Sequence, residues 1–152
     1  MAFDVAEIMR IGAEIGLSQN VSKCELIAHS DAVISDTLLQ SFTRVEIEDA
    51  TLLGAALFPG PALDRAWAER CEELAKAADR QSAINAQDAL ILLRSSFSAP
   101  KVLHLLRSSP SVCHSSLATF NSLLRRSVQR ITNCDLSDSQ WQVFPLKMEA
   151  LA

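Results

Sequence analysis

Apolar residues in the first fifteen positions recur at helical spacing. Val5, Ile8, Ile11 and Ile15 form one stripe, and Asp4, Glu7 and Glu14 turn away from it. The pattern predicts an amphipathic helix over residues 3–15. Gly16 would end it from the left-handed C′ position, with Leu17 packing back on Ile11. Asn20 and Ser22 hold the next residues in a loop, and the short apolar run CELIAH reads as a buried strand. Asp36 is placed to cap a turn of helix through Thr37–Ser41. Arg44-Val45-Glu46-Ile47-Glu48 alternates strictly, which predicts a half-exposed strand with Val45 and Ile47 facing inward. TLLGAALF predicts a further apolar strand, in which Gly54 marks a bulge or the close approach of another backbone.

Pro59-Gly60-Pro61 breaks regular structure, so a boundary is expected between residues 1–58 and 59–152. Everything after it reads as helix. Leu63, Trp67, Cys71, Leu74 and Ala78 form the stripe of a long helix with a charged outer face. Asn85 is a predicted N-cap with Asp88 at N3, opening a helix with Ala89, Leu90, Leu93 and Phe97 on one side. Ser98 is expected to cap the next helix, with Pro100 in its first turn and Val102, Leu103 and Leu106 as its apolar face. Leu117, Phe120, Leu124, Val128 and Ile131 make the cleanest stripe of all. The expected class is α+β: a small, incomplete antiparallel sheet with one or two helices, then a bundle of about four helices.

Bulk composition adds little to this. At 152 residues, with 49% hydrophobic and 21% charged content, the chain suits one ordinary domain or two small subdomains, not a disordered segment. No apolar run approaches the roughly 20 residues of a membrane span, and MAFDVAEIMR has two acids and no early basic cluster. An intracellular protein with no membrane partner is the expectation. Cys24, Cys71, Cys113 and Cys134 include no CxxC pair and are expected as reduced thiols. A metal site on Cys113, His114 and His104 is disfavoured, because adjacent residues point apart.

Charge changes the picture more. Residues 1–88 hold 7 Lys+Arg against 15 Asp+Glu, whereas residues 89–134 hold 6 Lys+Arg and no acid. The remaining tail has 1 against 3, giving the net −4. The acid-free run carries Arg94, Lys101, Arg107, Arg125, Arg126 and Arg130. Five of these six are arginine, the residue best shaped for phosphate. Arg126 and Arg130 are four apart and share a helix face, with Arg125 beside them. Such asymmetry points to a polyanion partner.

Catalytic constellations are missing from the sequence. It has no GxSxG, no HExxH, and 4 glycines in all, too few for a phosphate-cradling loop. Glu46 and Glu48 share the wet side of their strand. His29 and His104 read as structural, and Lys23 taken alone is an exposed loop residue.

Five segments in order, GLSQNVSKCEL, TLLGAALF, ALDRAWAERCEELAKAADRQ, QDALILLRSSFSAPKVLHLLRSSP and DSQW, carry a resemblance. The chain resembles the reverse transcriptases of non-LTR (LINE-type) retrotransposons, from just after the catalytic Tyr-x-Asp-Asp strand through the end of the palm into the thumb. The resemblance implies that Lys23 matches the palm-loop lysine near the incoming nucleotide's phosphates. It also implies that Leu53 and Gly54 sit in a hairpin like the one that grips the primer end, and that the helices after Pro61 form a thumb on template–primer duplex. The metal-binding aspartates would lie ahead of Met1. Two-metal phosphoryl transfer needs carboxylates holding ions about 4 Å apart. The expectation is therefore a truncated polymerase fragment, not an enzyme as it stands. It would hold no metal or other cofactor (magnesium belonging to a full-length relative) and would bind RNA/DNA duplex weakly and salt-sensitively. The rival expectation is a helical protein-interaction module using the Leu117–Ile131 stripe. An exposed stripe would favour the module and a buried one the grip.

Overall fold

A computed structural model describes residues 2–28 and 37–143. His29, Asp36 and the segment 144–152 lie outside them, and with them the expected cap at Asp36. Helix covers 66% of the structure and strand 8%, so the protein is α+β and mostly helical, as the pattern predicts. The chain divides into two compact units, residues 1–50 and 51–152. The TLLGAALF segment thus belongs with the helices, and the units part before Pro59-Gly60-Pro61.

In the first unit, α1 spans Ala2–Glu14. Its end is a Schellman motif: Leu17 N–H donates to Gly12 O at 2.9 Å and Gly16 N–H to Ala13 O at 3.2 Å. Gly16 supplies the φ of +79° that this requires. Arg10 bridges Glu7 and Glu14 along the wet face, and its guanidinium holds the Glu7 carboxyl below the usual glutamate range. Leu17 does not pack back as expected. It is 65% exposed, and Ile8, Ile11 and Ile15 are exposed too.

Strand β1, Glu25–Ile27, pairs with β2, Thr43–Val45, with Leu26 opposite Arg44. The pairing is parallel, which corrects the expected antiparallel sheet. Residues 28–42 separate the two strands, room enough for the return that a parallel pair requires, and they include the short α2, Thr37–Gln40. The expected strand 44–48 is also shorter. Its three-residue partner runs out at Ile27, so Glu46 has no ladder and Ile47–Asp49 close into a 3₁₀ turn. The alternation survives in burial: Val45 and Ile47 are half-buried, while Arg44, Glu46 and Glu48 are exposed.

The second unit opens with a hairpin, β3 (Thr51–Leu52) and β4 (Ala55–Ala56). Then come α3 (Pro61–Gln81), α4 (Ala86–Leu92), a π-helical turn at Leu93–Phe97, α5 (Ala99–Ser108), α6 (Ser115–Thr132) and the short α7 (Asp138–Gln142). Helices α3 and α6 form the principal pair. Leu63, Trp67 and Leu74 of α3 share a core with Phe120, Leu124 and Val128 of α6, with Leu93, Val102 and Leu105 beside them. Leu105, not Leu103 or Leu106, is the most buried leucine of α5.

Trp67 is fully buried, and truncating such a residue costs about 3–5 kcal/mol. Its indole donates to Ser111 Oγ at 3.2 Å, meets Phe120 edge-on and stacks on His114. His114 is the N-cap of α6. Its Nδ1 accepts from Ser116 N–H and its Nε2 donates to Asp64 at 2.9 Å, which ties the start of α3 to the start of α6. Asn85 caps α4 as expected, accepting from Asp88 N–H at 2.9 Å. Ser98 does not cap α5 with its side chain. Its hydroxyl turns back to Arg94 O, within the π turn. The helical stretch Ala86–Ser108, 23 residues, contains an 18-residue window that just reaches the length and composition of a membrane span. Its Leu93, Val102 and Leu105 are packed into the core.

Candidate nucleic-acid interface

The residue pattern in TLLGAALF suggests a strand, but the structure folds it into a two-residue hairpin. Leu53 and Gly54 both take positive φ, +52° and +78°, as a two-residue mirror-image turn demands. The turn normally uses Asn-Gly, because a leucine there brings its Cβ against the following carbonyl. Ala55 and Ala56 are buried, and their small side chains let β4 pack against both α3 and α5. His104 holds the tip. Its Nε2 lies 3.1 Å from Leu53 O, so Nε2 carries the proton and Nδ1 is left to accept from Ser108 Oγ. The tip is apolar and exposed, with Leu53 88% and Leu52 60% accessible.

The six cations of the acid-free run separate into two sets. Lys101 meets Glu73 at 3.2 Å, Arg130 meets Asp79 at 2.9 Å, and Arg125 meets Asp138 at 2.6 Å while also donating to Leu136 O. All three acids lie outside residues 89–134, on α3 and α7, so the fold returns to the run the charges its own sequence lacks. Partial burial alone would raise the Glu73 carboxyl, but hydrogen bonds from Arg70 and Lys101 outweigh it and hold the group below its ordinary value. Arg94 on the π turn, Arg107 on α5 and Arg126 on α6 are exposed, and among the described residues none of them pairs with an acid. Arg126 and Arg130 line one shallow groove of about 170 Å³ with Ala75, Ala78 and Asp79, as their shared face requires.

Lys23 ends a 3₁₀ turn, Val21–Lys23, in the first unit. Asn20 builds that turn by accepting from Ser22 N–H and Ser22 Oγ, and Lys23 stands exposed beyond it. His104 and His114 each use both ring nitrogens in the contacts above, so neither offers a free nitrogen to a metal.

Two residues of note escaped the sequence reading. Gln81 is 4% exposed, and neither its amide nitrogen nor its amide oxygen has a partner among the described residues. The signal was present: Gln81 lies seven residues after Leu74 and so falls on the buried stripe of α3. Arg80 carries no ion pair among the described residues and sits outside the acid-free window that drew attention to the others.

No family model matches the chain, and no curated protein or solved structure matches it.

Proposed function

We propose that the second unit is a duplex grip of the reverse-transcriptase thumb type. It holds RNA/DNA backbone through Arg94, Arg107 and Arg126, performs no chemistry of its own and acts inside the cell. The observation that carries this is the sorting of the cations. In a stretch without a single acid, three side chains are neutralised from other elements and three arginines are left facing solvent. The hairpin supports the same reading, because a strained turn bearing an exposed leucine is costly and such strain concentrates where a chain makes contacts. The resemblance to non-LTR reverse transcriptases supplies the kind of partner, with Leu53 and Gly54 at the primer end and Lys23 as the palm-loop lysine. The rival interaction module needs the Leu117–Ile131 stripe exposed. Leu117, Phe120, Leu124 and Val128 are buried and Ile131 is half-buried, which favours the grip over the module.

Fluorescence anisotropy with an RNA–DNA hybrid tests the proposal. Three phosphate contacts predict a slope of about −2.7 in log K against log salt, or about 40-fold weaker binding on going from 50 to 200 mM. Replacing Arg94, Arg107 and Arg126 by alanine should flatten that slope, whereas Lys101→Ala with Arg125→Ala should leave most of it. No binding at low salt, or binding indifferent to salt, overturns the proposal.

A further inference from the structure

A groove of about 460 Å³ opens between the second half of α3, the α3–α4 connection, the π turn and α5. That volume lies within the range of small-ligand sites. Its walls are apolar: Ala77, Ile84, Leu92 and Phe97, with Ile84 and Leu92 44% and 41% exposed. Its rim is cationic, with Arg80, Lys76 and Lys101 against the single acid Glu73. Lys76 is engaged by Glu72 and Lys101 by Glu73, which leaves Arg80 available. Gln81 stands in the wall between this groove and a second cavity of about 240 Å³. It is the buried amide described above, with one donor nitrogen and one acceptor oxygen both unpaired. A buried amide in that condition is costly, and proteins leave few of them. The neighbouring π turn is a local irregularity of a kind found often at ligand sites.

The geometry points to a site for one nucleobase with its phosphate. The flat ring would lie against Phe97 and Leu92, and the phosphate would rest on Arg80. The Gln81 amide, sealed from solvent as the side chain stands, would turn into the groove to pair with an edge carrying adjacent donor and acceptor. A glutamine amide matches adenine in this way, and a phenylalanine face accepts an unstacked base. An apolar ligand would leave the amide orphaned, and a bare anion would ignore the walls. The occupant is either a free nucleotide or an unpaired nucleotide of a strand. In the second case the inference rests on the grip proposed above.

Calorimetry on the full chain with AMP, adenosine, inorganic phosphate and a single-stranded oligoadenylate distinguishes these. AMP should bind better than adenosine, phosphate should not bind, and Arg80→Ala should erase the advantage of AMP over adenosine. Gln81→Leu fills the same space and removes the orphaned amide, so the chain should melt no lower than the wild type. It should nevertheless bind AMP about tenfold more weakly. AMP binding without oligoadenylate binding assigns the site to free nucleotide, and oligoadenylate binding lost with Gln81→Leu assigns it to a strand. If neither probe binds, or if Gln81→Leu folds and binds as before, the inference is overturned. Hybrid binding that persists in that case leaves the grip standing, whereas nucleotide binding without salt-dependent hybrid binding overturns the grip alone.

Discussion

Leu53 allows stability and the proposed duplex contact to be moved in opposite directions by one substitution. Its φ of +52° places a leucine in the left-handed region, which costs an L-residue about 1–2 kcal/mol. Asparagine tolerates that conformation and is the usual first residue of this turn. Nothing is lost in exchange. The side chain is 88% exposed, so its removal uncovers no core, and His104 bonds to the Leu53 carbonyl, which any residue supplies. Leu53→Asn should therefore stabilise the second unit by about 1 kcal/mol. For a unit of roughly 100 residues that raises the melting temperature by about 4–8 °C.

Gly54→Ala is the matching control. A Cβ there meets nothing within 4 Å, so the penalty is purely conformational, about 1 kcal/mol or more from the φ of +78°. Thermal unfolding followed by circular dichroism reads both changes. If the hairpin tip also contacts duplex, Leu53→Asn should weaken hybrid binding while raising the melting point. A Leu53→Asn protein that melts at or below the wild-type temperature refutes the turn assignment and the reasoning built on it.

Three other outcomes follow from the packing. Cys113 and Cys134 are exposed, whereas Cys71 is half-buried and its thiol is pushed up by burial. A disulfide reagent should thus modify the first two at once and Cys71 only slowly until the protein unfolds. Glu73 is held below its ordinary value of 4.5, so its pairs stabilise the fold above that pH and fade as pH falls through the lower folded value. Because the side chain is 42% exposed, Glu73→Gln should cost only about 0.5 kcal/mol at neutral pH and progressively less as the pH is lowered below 4.5, as chemical denaturation along a pH series would show. Among the described residues of the first unit only Leu26 and Ala50 are buried apolar groups. Hydrogen exchange should therefore find amides of α1 opening within about 2 kcal/mol, against 5 kcal/mol or more for α3 and α6.

The longer helices were legible because most carry local punctuation or a clean apolar period, whereas the short α7 was missed despite the Ser137–Gln140 capping box that starts it. Asn85 with Asp88, Gly16 after Ile15, and the period of Leu117, Phe120, Leu124 and Val128 are local signals that the tertiary structure leaves in place. The sheets were not, because a strand is defined by a partner that the pattern does not name. The direction of β1 against β2 and the shortening of 44–48 both depend on a three-residue neighbour. The residue pattern hid the hairpin for a related reason, although the family resemblance implied one at Leu53 and Gly54: Leu-Gly is a poor mirror-image turn, and the pull of Ala55 and Ala56 beneath α3 and α5 decides it. Ser98 misled because a serine before Ala-Pro looks like a cap, yet in the π turn its hydroxyl bonds to Arg94 O. At the candidate interface the positive run was legible as a run. Which members remain free was not, since Glu73, Asp79 and Asp138 reach them from elements far away in the chain.

That division of cations also sets a limit on the strength of binding. An exposed ion pair is worth about 1 kcal/mol or less, so a phosphate can compete for a paired arginine where the pair is loose. Arg130 is such a case: its side chain is 55% exposed and that of Asp79 77%, so duplex could recruit it beside Arg126 in their common groove. Arg125 is not, because it is 27% exposed and has the Leu136 carbonyl as a second acceptor, which a phosphate would have to replace. The proposed grip would therefore have three ready contacts and one recruitable one, on a chain whose net charge is −4. With no long-range positive field to steer a duplex in, such a grip would rest on short-range phosphate contacts alone, and its affinity should be micromolar or weaker. Removing the acid that competes should raise it. Asp79→Asn leaves Arg130 unpaired beside Arg126 and should steepen the salt slope by about 0.9, the value of one added phosphate contact.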